Sequence, residues 1–199
     1  MTECEPYVES GIRWDLSPRD FGFLKILLQG GVGIRGRMGT SVRDFLTGTL
    51  GISAHYVDTD LQTVFVDNHP ADDLDAALIR DGCTIALSGA MPGLVGATMR
   101  RGGSLARMRE GITLVEGVRD DGVSDVGTVR LKLFNQPLSD LVETIADRPL
   151  GIPRHAFSAP CLRELVSDEA LAGAGEFVWL KIRLAEPIKG EASGPCESP

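Results

Sequence analysis

The chain has 199 residues, 43% hydrophobic and 24% charged, which is a globular composition with length for one larger domain or two small ones. A formal charge of −8 and a pI near 4.9 argue against long-range attraction to nucleic acid or an anionic membrane, leaving a protein or a small anionic ligand as the expected partner. No apolar run reaches the roughly 18 residues of a membrane span, and the acidic start MTECEPYVESGIRWD does not resemble a signal peptide, so the expected compartment is the cytoplasm.

Residues 1–20 show no periodicity and are expected to be poorly ordered. In FGFLKILLQGG, Leu24, Ile26 and Leu28 alternate with Lys25 and Gln29, which predicts a strand closed by Gly30 and Gly31. VGIRGRMG is expected to be a shorter second strand. In TSVRDFLTGTLG, Ser41 is placed to accept from the Asp44 backbone N–H, and Val42, Phe45, Leu46 and Leu50 recur at helical spacing up to Gly51. Val64 and Val66 mark a strand, DNHP a turn, Asp72–Leu78 an acidic turn or short helix, and Cys83–Leu87 a further strand.

Residues 113–127 are polar and glycine-rich, as a linker or long hairpin loop would be. A second structured segment, 128–188, opens with a strand that puts Val129, Leu131 and Leu133 opposite Arg130 and Lys132. Its helix turns Leu138, Leu141, Val142 and Ile145 inward, Ser158 begins short helical turns, and Val178, Leu180, Ile182 and Leu184 align on a last strand before a disordered tail, 189–199. LKILLQ and LKLFN, each followed by a helix ending in Leu-Gly-Ile, raise the idea of a duplication.

The order expected over 21–103, ending in the apolar strand, QTVFVDNHPADDLDAALIRDGCTIALSG and then RRGG, resembles the β-grasp fold of ubiquitin and of the molybdopterin and thiamin sulfur carriers. The resemblance implies an α+β chain with a β-grasp-like domain over 21–112 and a smaller C-terminal α+β segment packed on it. It also implies a carrier-like tail at Gly102 and Gly103. In carriers such a tail ends the mature chain, whereas here 96 residues follow Gly103, so a modifier role requires processing after that glycine.

Cys4, Cys83, Cys161 and Cys196 form no C-x-x-C pair, and His55, His69 and His155 lack ligand spacing; no metal or cofactor is expected, Cys83 is expected to be buried, and Cys4 and Cys196 to lie in mobile ends. Gly31-Val-Gly33-Ile-Arg-Gly36 matches the spacing of a dinucleotide-binding turn, which would make the chain a nucleotide-binding enzyme, but no helix opens inside the motif and a glycine hairpin accounts for it better. Asp67, Asp72, Asp73 and Asp75 lack calcium-loop spacing and read as a solvated turn with capping duties. No triad order or nucleophile elbow is present, so catalytic residues stay unassigned.

The segment Pro92–Arg109 concentrates what is left. Gly102, Gly103 and Ser104, with Ser104 capping a helix over 105–110 and Arg100, Arg101, Arg107 and Arg109 around them, suit an anion or an acidic partner. Met91, Leu94 and Val95 add an apolar docking element. The expected function is a non-catalytic binding or assembly module built on this loop.

Overall fold

The structure, a computed structural model, describes residues 12–17, 20–114 and 126–184. The expected tail 189–199, most of the 113–127 linker, and Cys4 and Cys196 lie outside the described residues.

The chain is mixed α/β around one eight-stranded sheet. Its strands are β1 (Arg13–Leu16), β2 (Val32–Gly36), β3 (Thr63–Val66), β4 (His69–Pro70), β5 (Thr84–Ser88), β6 (Gly127–Phe134), β7 (Leu150–Pro153) and β8 (Phe177–Leu184), in the spatial order β1-β8-β7-β2-β6-β5-β3-β4. Pairing is antiparallel except for β1 with β8 and β5 with β6. Strand β6, from the second half of the sequence, lies between β2 and β5 of the first, so one sheet runs through both segments.

Two expectations are corrected at the start of the chain. Residues 21–30 form helix α1 (Phe21–Gly30) and not a strand. Leu24, Leu27 and Leu28 are its buried residues, the i, i+3, i+4 set of a helix face, whereas Ile26 is 61% exposed. A strand would have buried Ile26 and turned Leu27 outward; the alternation of Leu24 and Leu28 fits both periods, and Leu27 separates them. Gly31, at φ +111°, closes the helix and donates to the Leu27 carbonyl. The expected opening hairpin is therefore absent, and LKILLQ is helical where LKLFN is strand, which removes the basis for a duplication. The second correction is β1, inside a region expected to be irregular: Trp14 and Leu16 are buried while Arg13 and Asp15 are exposed, a period-2 pattern legible in IRWDL.

Several other local expectations match the structure. Ser41 Oγ accepts from the Asp44 N–H at 3.0 Å and opens α2 (Val42–Asp44), which continues as a π-helical turn through Thr49 and ends at Gly51, φ +67°. Asp67 and Asn68, both at positive φ, form the two-residue turn between β3 and β4. Helix α3 spans Ala54–Thr59, and α5 (Asn135–Asp140) and α6 (Val142–Ala146) turn Leu138, Val142 and Ile145 into the core. The short helical turns after β7 include α7 (Pro160–Arg163) and α8 (Asp168–Gly173); Ser158 caps neither, and Ser167 caps α8 by accepting from the Ala170 N–H.

Helices α1 and α5 pack on β6, and α6 on β8, against the sheet face that carries Val32, Ile34, Val129, Leu131, Leu150, Ile152, Val178 and Leu180. No described helix is long and apolar enough to cross a membrane.

Candidate functional site

After β5 the chain turns into α4 (Gly93–Met99), a short helix with no side-chain cap. Gly93 has φ +78° and Gly96 faces Met91 so closely that a Cβ there would come 2.0 Å from the Met91 carbonyl oxygen. The absence of a side chain at Gly96 thus lets α4 fold back on the residues before it. Gly102, at φ +64°, turns the chain again, with the Gly103 N–H donating to the Arg100 carbonyl, and a 3₁₀ helix follows over Ala106–Ile112, broken at Arg109. Ser104 does not cap it: the residue before this helix is Leu105, and no side chain caps its end.

The four arginines of the segment separate into two kinds. Arg109 is 5% exposed. Its guanidinium holds Asp72 at both ends, Nη2 to Oδ1 at 2.6 Å and Nη1 to Oδ2 at 3.0 Å, while Nε donates to the Thr98 carbonyl at 2.7 Å and Nη1 to Thr113 Oγ1 at 2.9 Å. The anion that Arg109 binds is the protein's own Asp72, in the bidentate geometry that favours arginine over lysine. Arg101 Nη2 donates to the Val57 carbonyl in the last turn of α3 at 2.6 Å, and its backbone N–H donates to the Gln62 carbonyl at 2.7 Å. Burial pulls this guanidinium below the ordinary arginine value, and nearby Arg43 pulls it the same way. Arg100 and Arg107, by contrast, are exposed.

Around these anchors stands an apolar surface. Leu94 and Val95 of α4 are 67% and 70% exposed, and Met108 and Ile112 of the adjoining 3₁₀ helix are 71% and 51% exposed. Met91 is half-buried. Large aliphatic side chains carried on two short helices in mutual contact are unusual to leave in water, and here the backbone beneath them is fixed by the Arg109 and Arg101 bonds.

The other expected constellations are absorbed by the fold. Gly33 and Gly36 are strand residues: a Cβ at Gly33 would meet the Phe177 ring at 3.1 Å, and one at Gly36 the Phe45 ring at 2.6 Å. The glycine spacing that resembles a dinucleotide turn thus admits aromatic rings and presents no helix N-terminus. Within the acidic cluster, Asp67 accepts from the Thr84 N–H, Asp73 accepts from the Asp75 and Ala76 N–H groups, and Asp75 pairs with Arg43, as does Asp58. The Arg43 guanidinium holds the Asp58 carboxyl below its ordinary value. Cys83 is buried immediately before β5, and burial pushes its thiol up. Among the described residues no group of three or more His, Cys, Asp or Glu could hold a metal. A groove of about 270 Å³ between α1 and residues 153–159, lined by Phe23, Ile26, Leu27, Pro153 and Ala156 with His155 at its side, is apolar and brings no reactive pair together.

The chain matches no family model, no curated protein and no solved structure. Two features escaped the sequence reading. The Arg109–Asp72 pair spans 37 residues, and its only local trace is that both lie in charged stretches of sequence. Met108 and Ile112 join Leu94 and Val95 because the chain reverses at Gly102, a glycine between two segments of otherwise unrelated pattern.

Proposed function

We propose that this protein is a non-catalytic binding or assembly module whose working surface is the Pro92–Arg109 segment extended to Ile112. The partner is a protein segment with apolar side chains and carboxylates: the apolar side chains cover Leu94, Val95, Met108 and Ile112, and the carboxylates meet Arg100 and Arg107. The observation that carries the reading is the exposure of those four side chains, each above half, on a backbone pinned from inside by Arg109. A rigid apolar patch loses little conformational entropy on docking, and exposed arginines beside it fit the composition of interface hot spots.

The test uses the full chain as bait in its native cell, with quantitative mass spectrometry of what co-purifies. Leu94→Ser with Val95→Ser is expected to lose the specific partner, and Arg100→Ala with Arg107→Ala to weaken its retention, with unfolding midpoints at the wild-type value. Retention of the same proteins by both variants would overturn the reading.

A further inference from the structure

The eight-stranded sheet has two edges, β4 and β1, and the fold treats them differently. Strand β4 is two residues long, Pro70 has no N–H to offer, and its carbonyl accepts from the Leu114 N–H at 2.9 Å. Strand β1 carries no proline. The Lys181 N–H donates to the Ile12 carbonyl at 3.0 Å, and β1 runs parallel to β8 with Arg13 beside Lys181 and Asp15 beside Arg183. Backbone groups alternate in direction along a strand, so Ile12, Trp14 and Leu16 bond towards β8, while the N–H and carbonyl of Arg13 and Asp15 point outward from the sheet. Among the described residues nothing bonds to these outward groups.

The side chains at this edge follow the same alternation. Trp14 and Leu16 are buried, Trp14 against Phe23 of α1 with ring centres 6.3 Å apart, and Arg13 and Asp15 are exposed on the other face. Among the described residues neither Arg13 nor Asp15 has an ion pair. Two opposite charges thus stand on one face, placed symmetrically about Trp14, beside a row of outward backbone groups.

We propose that β1 is the interface of a symmetric dimer, its edge paired with the β1 of a second copy. A two-fold axis normal to the sheet beside Trp14 brings the strands together antiparallel, with Arg13 opposite the partner's Asp15 and Asp15 opposite the partner's Arg13. Each of these pairs exchanges both N–H···O bonds, and each sets a cation against an anion on the exposed face. The charges also fix the register. A slip of two residues, the smallest that keeps outward groups facing each other, sets Arg13 against Arg13 or Asp15 against Asp15. A guard charge of one sign repels a second copy of its own edge, whereas this edge attracts a copy in one register and repels it in the neighbouring ones. A strand of another protein could use the backbone groups, but the symmetric placement of opposite charges about Trp14 is what a second copy matches. The contact is short, so the dimer is expected to be weak and to form with rising concentration. It shares no residue with the Pro92–Ile112 segment and is independent of the docking surface proposed there.

Sedimentation velocity of the full chain from about 10 µM to about 500 µM tests it, the average mass being expected to rise towards that of a dimer. Arg13→Asp alone and Asp15→Arg alone set like charges opposite each other, and each is expected to weaken self-association at least tenfold. Mixed in equal amounts, the two variants are expected to recover it as a heterodimer, because opposite signs then face each other at both pairs. Should either variant melt lower than wild type, hydrogen exchange of the wild-type chain reads the same edge: the Arg13 and Asp15 amides are expected to slow severalfold as concentration rises. A monomer at every concentration overturns the proposal, as do association unaffected by both variants, a mixture of folded variants that stays monomeric, and exchange at both amides independent of concentration. Self-association abolished by Leu94→Ser with Val95→Ser also overturns it, in favour of the apolar patch.

Discussion

Arg109 shows how one side chain changes meaning between sequence and structure. Among four arginines near a Gly-Gly pair it reads as part of an anion site, yet it is the buried one, with Asp72, Thr98 and Thr113 around it. Replacing it by Met takes this donor from the Thr98 carbonyl and from both oxygens of the partly exposed Asp72 carboxylate. Arg109→Met is expected to cost about 2–4 kcal/mol, below the range for a fully buried pair because Asp72 keeps some solvent. Urea unfolding checks this, and Arg107→Met, at an exposed position, is expected to stay within about 0.5 kcal/mol of wild type. Sequence alone cannot separate the two arginines, because the difference is a contact 37 residues away.

At the scale of elements, α1 is the sharpest discriminator. Leu27→Ala is expected to cost about 2–4 kcal/mol as a core truncation, while Ile26→Ala, on the exposed side, costs less than about 0.5 kcal/mol. The strand reading requires the reverse order. Leu24 and Leu28 satisfy both a period of 2 and a spacing of four, so in the local sequence only Leu27 separates a helix from a strand. Where the local signal is unambiguous it was legible: Ser41 as a cap, the positive-φ turn at Asp67 and Asn68, and the alternation in β6. Arg43 ties α2 to α3 through Asp58 and to the acidic turn through Asp75. The carboxyl of Asp58 titrates lower in the folded protein than in the unfolded chain, so its contribution is present above the unfolded value, near 3.9, and is lost as pH falls through the folded one. Urea midpoints measured from about pH 5 down to about pH 2 are expected to fall less steeply for Arg43→Ala than for wild type.

For the whole molecule, the sheet order carries the lesson. The patterns of β2, β5 and β6 are each readable, but that β6 inserts between the other two depends on long-range pairing that no local spacing encodes. The β-grasp resemblance grew from the succession of elements over 21–103, and its opening strand is α1. The Pro92–Arg109 segment was visible as an unabsorbed stretch of glycine, arginine and aliphatic residues; its geometry, with two arginines inside and four aliphatic side chains outside, required the fold.

Site-specific photo-crosslinking in the native cell tests the proposed docking surface most directly. With a photoreactive amino acid in place of Met108, the account predicts a discrete covalent adduct with a partner protein, and none with the same group at Ile26, an aliphatic position on α1 that is also more than half exposed. Adducts of the same mass and yield from both positions, or from Ile26 alone, would contradict it.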